Sequence, residues 1–462
     1  MYSKAYRRWH HVKDKTLKKK RQNLRNPVIL ARLSALCEEF EHGLHKSAEN
    51  DQKLQVFNEF HLSFFNNFDA AESLWRQFEK DAACFIYQRF SFCRSWHASV
   101  GKKTDKTPHI VAVQDLTGET VMLVPLCLEK TRFGTVVSFA GDGMADYLAP
   151  LVQDDFAQNI TKAEFQKLWN SILATIDGNI DMVWLDRQPI SIAGVRNPVS
   201  LLSSFDFVSS SHALKFPRAA NWSQCARILR SGQTTKKIAR RFAKLAGQGE
   251  IELVEITGAK ARQDHIHKLL VLKVENLNQS GILHRMDKPD VARFYGALVG
   301  EETMQDDLCQ FELRCGGKMI ASVLGFVHHG TFYYQISAFN KKDFGRYSPG
   351  LLLQYQLLEW SFSRGLERFD MTVGDEVYKG DWSNETTTMV TVAQVFSTAG
   401  RLNYTYRRAM LWTTSKIKKS PRLRKLVMRV MKKADNIVTM PRFELHGMAR
   451  FQKNLKEHSQ GH

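Results

Sequence analysis

The segment Thr331-Phe-Tyr-Tyr-Gln-Ile-Ser-Ala-Phe339, then Arg346-Tyr-Ser-Pro-Gly350 and Leu351-Leu-Leu-Gln-Tyr-Gln-Leu-Leu-Glu-Trp-Ser-Phe-Ser363, decides how the chain is read. The first part is dense in aromatic and β-branched residues and predicts a strand. The last places Leu351, Leu352, Tyr355, Leu358 and Phe362 at helical spacing. Between them, Ser348 suits an N-cap, Pro349 suits the first helical position, and Gly350 carries no side chain. Such a start is expected to leave the amides of Gly350, Leu351 and Leu352 unpaired, with the positive end of the helix dipole behind them. A strand delivering that helix start predicts an anion cradle, to which Arg346 adds a guanidinium. Phosphate or pyrophosphate is the matching ligand. Ordinary capping is the alternative use of the same residues.

Working outward, 462 residues predict two domains plus tails. A hydrophobic content of 43% indicates a globular chain. No apolar run of ~18 residues is present to span a membrane, and the N-terminus lacks a secretory h-region. Seven scattered cysteines, none spaced as CxxC, fit a reducing compartment and argue against a structural zinc site. The expected location is the cytoplasm, with the inner face of a membrane as a peripheral alternative. The net charge of +19 is concentrated at the ends, in residues 1–30 and 401–436, so the body is close to neutral. Basic ends suit an anionic membrane surface, an acidic polymer or RNA.

Along the chain, Leu54 to Leu62 alternates like one strand, and Asp69 or Ser73 is placed to open a helix through Trp75. Strands are expected at 109–115, 120–127 and 136–139, then a glycine- and acid-bearing loop from Ala140 to Tyr147. A helix from Thr161 to Ile176 and the strand Met182–Leu185, ending at Asp186, complete a first unit. From about residue 215 a second unit repeats this order. It has a basic amphipathic helix at 231–245, a strand at 251–256, a helix through 265–276, and a meander over 310–314, 319–327 and 332–337. Gly178 precedes Trp184, and Gly365 precedes Met371, by the same six residues; the two strands then end at Asp186 and Asp375. The first copy opens its helix with the capping box Thr161-Lys-Ala-Glu164, whose carboxylate fills the anion position. The second, with Ser-Pro-Gly, leaves it open.

The meander, the Arg346–Gly350 cradle, its helix and Arg368-Phe-Asp-Met-Thr-Val-Gly-Asp-Glu-Val-Tyr-Lys-Gly-Asp-Trp382 together resemble GNAT-type acyltransferases. The subgroup most resembled is the CelD-like, cellulose-biosynthesis-associated acetyltransferases, which are related to the double-domain FemAB-type aminoacyl transferases. The resemblance spans roughly 50–400 and is strongest over 310–382. It implies a mixed α/β fold of two tandem GNAT-like domains, each a mainly antiparallel sheet flanked by helices. The divisions implied are a basic extension (1–50), a domain without a cradle (51–214), a cofactor-binding domain (215–400) and a basic helical tail (401–462). From Arg346, the usual pyrophosphate-loop glycines are replaced by Pro349 and Leu351, and the Ser-Pro-Gly form suits the CelD-like subgroup.

The implied reaction is transfer of an acetyl group from acetyl-CoA to an amine or hydroxyl of a polysaccharide, glycolipid or other envelope precursor. Such a reaction needs a polarised carbonyl, a base and a proton for the departing thiolate. Ser337, Arg346, Tyr347, Ser348, Gly350 and Leu351 are the expected cofactor-binding residues. Asp375 or Glu376 is the candidate base, Tyr378 the candidate acid, and Lys379 the candidate oxyanion or phosphate partner. Asp142, Asp146 and Trp382 are candidates for the acceptor cleft. The histidines show no HxH or HxxxH pair on one face, so no metal is expected. Two rivals stand beside this reading: a FemAB-like transferase using aminoacyl-tRNA, and a non-catalytic scaffold or nucleic-acid-binding protein on the same fold.

Overall fold

A computed structural model describes residues 53–57, 60–207, 209–230, 232–282, 284–374 and 376–420. The described residues start with a hairpin of β1 (Lys53–Phe57) and β2 (Phe60–Phe65), where the sequence pattern had suggested one strand. Helices α1 (Phe68–Phe78) and α2 (Phe90–Trp96) follow, and Asn67, rather than Asp69 or Ser73, caps the first by accepting from the Ala70 amide. Next come β3 (Lys106–Gln114), β4 (Thr120–Thr131), β5 (Gly134–Phe139) and the short β6 (Leu151–Val152). After α3 (Asp154–Asn159) and α4 (Lys162–Ala174), β7 (Met182–Pro189) completes the repeat unit. The Thr161–Glu164 capping box forms as expected.

A small ribbon of β8 (Ser191–Ile192) and β9 (Val195–Arg196) leads to β10 (Ser204–Asp206) and β11 (Ser211–Lys215). Then come α5 (Trp222–Leu229), α6 (Gly232–Ala246), β12 (Ile251–Glu255), α7 (Ala259–Gln279) and α8 (Pro289–Gly300). The meander is β13 (Leu308–Cys315), β14 (Lys318–His328) and β15 (Thr331–Phe339). It is followed by α9 (Lys341–Phe344), α10 (Pro349–Ser363), β16 (Arg368–Val373) and α11 (Val377–Trp382). The described chain ends with β17 (Glu385–Thr387), β18 (Met389–Val395) and α12 (Thr398–Lys419).

The internal repeat is plain in the strand order. Leaving aside the edge strand β1 and the short β6 beside β4, one sheet runs β2-β3-β4-β5-β7-β18-β10 and the other β12-β13-β14-β15-β16-β11-β17. In each, the fourth and fifth strands are parallel and the other neighbours antiparallel. The sixth position is exchanged: β18 comes from beyond the second meander and completes the first sheet, while β11 precedes that meander and completes the second. Each half therefore holds an interior strand of the other, next to its last strand.

The parallel pairs are short. β15 meets β16 only over Thr331–Tyr333, although β15 continues beside β14 to Phe339 and β16 beside β11 to Val373. Beyond Tyr333 the two strands part. An extra residue on β15, between the pairs Phe326–Tyr333 and Leu324–Ile336, forms a bulge at Tyr334–Gln335. Gly325 sits opposite, where a Cβ would lie 2.5 Å from the Phe332 ring and 2.7 Å from the Tyr333 carbonyl. Only glycine allows that approach.

One core extends from the first sheet across α7 and α8 to one face of the second, with the Phe92 and Phe294 rings 5.2 Å apart. The other face of the second sheet packs on α10 through Phe311, Val323, Phe332, Leu352 and Leu353. The halves are joined by core packing as well as by exchanged strands.

Candidate active site

The ends of β7 and β16 carry the same irregularity. In β16 an extra residue lies between the pairs to Ala213 and Ser211, and in β7 between the pairs to Val392 and Val390. At these bulges Thr372 has φ +63° and Arg187 φ +50°. A β-branched residue in the left-handed region is strained, and the strain re-aims the strand end. The same register corrects the sequence alignment of the halves: Asp186 corresponds to Met371, not to Asp375. Asp375 itself lies outside the described residues.

The glycine-bearing loop of the first half meets the end of β16. Asp146 is held by the Thr372 hydroxyl. The Tyr87 hydroxyl lies 3.4 Å from its Oδ2 and donates to Gln335 Oε1 at 2.5 Å, beside the bulge of β15. Burial raises the Asp146 pKa above the ordinary carboxylate value, against the pull of Lys379 and Arg187. One residue on, the Tyr147 hydroxyl donates to both oxygens of Asp370 at 2.8 and 3.0 Å, and the Thr372 amide donates to Asp370 Oδ1 at 2.7 Å. Asp370 is buried and its pKa is likewise raised by that burial, although Arg368 opposes it. A cavity of about 470 Å³ opens on this seam, lined by Ala83, Phe85 and Val195 from the first half and Tyr333, Arg368 and Asp370 from the second.

Lys273 of α7 reaches the same place from the other side. Its ammonium donates to the Ser337 carbonyl at 3.1 Å, and burial lowers its pKa despite the nearby carboxylates of Glu376 and Asp146. Asn276, one turn on, accepts from the Phe339 amide at 3.0 Å and donates to the Phe339 carbonyl at 2.8 Å, pairing that residue as a neighbouring strand would. In a strand, the N–H and C=O of one residue project to the same side, so the Ser337 amide also faces the opening between β15 and β16.

Lys379 is buried. Its ammonium donates to the Val373 carbonyl at 3.0 Å and the Thr372 carbonyl at 3.4 Å, and pairs with Glu376 Oε2 at 3.0 Å. It thus ties down the strained end of β16. Glu376 is exposed on its outer side. Tyr378 belongs to α11, and its side chain lies outside the described residues. Trp382 is 1% exposed and packs among Trp222, Tyr355 and Arg230, so it is a core residue and lines no acceptor cleft. Asp142 is engaged by a lysine of the first half. Its Oδ2 accepts from Lys106 at 2.7 Å, and although burial pushes its pKa up, the Lys106 and Arg187 charges hold it well below the usual carboxylate range.

The cradle departs from expectation at its first turn. Ser348 has φ +57° and ψ +53°, and its hydroxyl caps nothing. The Leu351 and Leu352 amides both donate to the Ser348 carbonyl, at 3.0 and 3.2 Å, which leaves the Gly350 amide as the one without a backbone acceptor. A Cβ on Gly350 would sit 3.2 Å from the Phe339 ring, so the glycine also serves close packing. Arg346 is exposed, stacked 4.7 Å over the ring of buried Tyr347, with no carboxylate partner among the described residues. Helix α6 packs against this turn and exposes Lys236, Lys237, Arg240 and Lys244 beside it.

Tyr87, Tyr147, Lys273, Gln335, Asp370 and Thr372 were not singled out from sequence. Asp370 left a trace, being a carboxylate between Phe369 and Met371 in a strand. The others sit in aromatic or helical runs that read as core.

Residues 232–380 match the family model described as an acetyltransferase (GNAT) domain. The fold is two GNAT-like domains in tandem. It is similar to the crystal structure of FemX, at 10% identity and a TM-score of 0.50, covering 72% of this chain and 97% of that one. A tandem GNAT protein from the clavulanic acid biosynthesis pathway matches with 12% identity and a TM-score of 0.40, over 73% and 99% of the two chains. A conserved protein of unknown function from Bacteroides thetaiotaomicron matches with 13% identity and a TM-score of 0.44, over 72% and 99%. No curated protein sequence matches the chain.

Proposed function

We propose that the protein is an acyltransferase that moves an acetyl group from acetyl-CoA to an amine or hydroxyl of a polysaccharide, glycolipid or other envelope precursor. The observation that carries this is the meeting of Asp146, a carboxylate of raised pKa, with the parted ends of β15 and β16 inside a stretch that matches the GNAT domain model. The thioester carbonyl would accept from the Ser337 amide, and the diphosphate would lie against Arg346 and the Gly350 amide. Asp146 would take the acceptor's proton as the new C–N or C–O bond forms and the C–S bond breaks. Tyr378 or solvent would return a proton to the thiolate. Glu376 and Asp375 remain proposed alternatives as base. In this reading the units are 51–214 and 215–400, with 1–50 and 401–462 as basic ends.

Calorimetric titration of acetyl-CoA into the full-length protein tests the reading. Arg346 is exposed and has no carboxylate partner among the described residues, so Arg346→Ala should weaken binding by about tenfold with little change in the melt. Gly350→Asp is a poorer test because the new side chain also presses on Phe339. Asp146→Asn should bind acetyl-CoA normally and turn over poorly. No heat of binding in the wild type would sink the assignment. The exposed basic face of α6 beside the cradle favours one second reading, a FemAB-like transfer from aminoacyl-tRNA. Salt-dependent tRNA binding without acetyl-CoA binding would select it.

A further inference from the structure

We propose that Cys84, His328 and His329 form a site for one thiolate- and imidazole-preferring divalent metal ion of the zinc class, at the seam between the two halves. The proposal is independent of the transfer reaction. The Cys84 Sγ lies 3.5 Å from His328 Nε2, and one ligand atom from each of the three residues lies within 4.8 Å of the others. With zinc–sulfur and zinc–nitrogen bonds of about 2.3 and 2.0 Å, tetrahedral geometry places S and N about 3.5 Å apart. The cysteine and first histidine already stand at that separation. The second histidine needs a shift of about an ångström.

The surroundings are those of a built site. Ala83 exchanges hydrogen bonds with Val152 in both directions, at 2.8 and 3.2 Å, which fixes the backbone beside Cys84. The other ring nitrogen of His328 faces Asp307 Oδ1 at 3.8 Å, and Asp307 Oδ2 is held by Arg89 Nη1 at 2.8 Å. A carboxylate behind a ligating imidazole is the usual support for a metal-bound histidine, because it fixes the tautomer and ring plane. His329 and Gly330 have φ of +46° and +67°, the two central residues of a primed hairpin turn. Asparagine is the common residue there; histidine instead puts an imidazole 4.0 Å from the His328 ring.

Cys84 and His328 are buried, whereas His329 is exposed and lines the 470 Å³ cavity. Three protein ligands with the fourth position toward a cavity is the open form of such a site. The ligand set bridges Cys84 of the first half and the β14–β15 turn of the second, 244 residues later. That separation is why sequence spacing gave no sign of it. The plainer account is a weak S–H to nitrogen hydrogen bond, which uses Cys84 and His328 but gives His329 nothing to do.

The test is titration of Co(II) into full-length protein stripped with a chelator. One equivalent is expected to give tetrahedral d–d absorption and a sulfur-to-cobalt charge-transfer band, both erased by added Zn(II). Cys84→Ser should remove the charge-transfer band. His329→Ala, at an exposed turn, should leave the metal-free melt unchanged and weaken Co(II) binding at least tenfold. No charge-transfer band in the wild type, its persistence in Cys84→Ser, or equal affinity in His329→Ala would each overturn the proposal.

Discussion

Replacing Lys379 by methionine separates two uses of one ammonium. The side chain is 5% exposed, and its charge is met by the Val373 carbonyl at 3.0 Å, the Thr372 carbonyl at 3.4 Å and the Glu376 carboxylate at 3.0 Å. Methionine fills nearly the same space, so the packing change is small. The bond to Val373 is charge-assisted and buried, and losing it costs about 1.5–3 kcal/mol. The longer bond to Thr372 adds less. Glu376 is 57% exposed, which limits its ion pair to under about 1 kcal/mol. The total is about 2–4 kcal/mol, at a strand end already strained at Thr372. For a domain of this size that lowers the melting midpoint by roughly 4 °C or more. Far-ultraviolet circular dichroism melts of Lys379→Met and Glu376→Gln, run beside an acetyl-transfer assay, would read it. Glu376→Gln should melt close to wild type. A Lys379→Met protein that melts like wild type but transfers nothing would refute the structural reading and return the lysine to the oxyanion.

Asp146→Asn should lower kcat/KM by about 10²–10⁴, the usual worth of a positioned base. Because the folded pKa of Asp146 is raised and the base must be ionised, the acidic limb of the wild-type profile should sit above the ordinary carboxylate value and disappear in the variant. An unchanged limb would assign the base elsewhere. His109 and His265 are buried neutral, each with its pKa lowered to about 4 by burial. Between the ordinary value near 6.5 and about 4 the unfolded chain binds the extra protons. Stability is therefore full above pH 6.5 and falls with pH through that window, by up to about 3 kcal/mol for each. Urea midpoints independent of pH across the window would contradict this. No described helix is long and apolar enough to cross a membrane, but α12 exposes Leu402, Tyr406, Met410 and Trp412 among arginines. Co-sedimentation with anionic vesicles is expected, lost at about 0.5 M salt and weakened by Leu402→Ser with Trp412→Ser. Equal binding to neutral vesicles would count against the charge-based part.

The order of elements was legible in the sequence because alternation and helical spacing report burial, and burial is what the fold satisfies. The meander, α10, the capping box at Thr161 and the internal repeat follow from such local signals. The cradle was legible only as a position. Ser348 adopts a left-handed conformation instead of capping, and its carbonyl takes two of the three amides that residue preference alone leaves open. The exchange of β11 and β18 was not legible. β11 is a short, mixed stretch (Ser211-His-Ala-Leu-Lys215), and for β18 the pattern of a strand says which face is buried but not which sheet it joins. Asp146 was found as an acid in a glycine-bearing loop, whereas its partners Tyr87 and Thr372 carry no local mark.

The duplicated bulge suggests why chemistry should fall in one half. Both sheets part at the same place and turn their fifth strand with a residue at positive φ. In the first half that residue is Arg187, which donates to the Ala145 carbonyl at 2.7 Å and lies within a network of Asp186, Asp142 and Lys106. Its charges are spent on one another, and the capping glutamate already occupies its helix start. In the second half the residue is Thr372, whose neutral hydroxyl leaves Asp146 with no ion-paired cation among the described residues and a raised pKa. The exchanged strands pair with β7 and β16 through main-chain hydrogen bonds and so tie the two halves together. In the proposed reaction a base from one half would therefore stand at a fixed place over the opening in the other, without a hinge to misplace it.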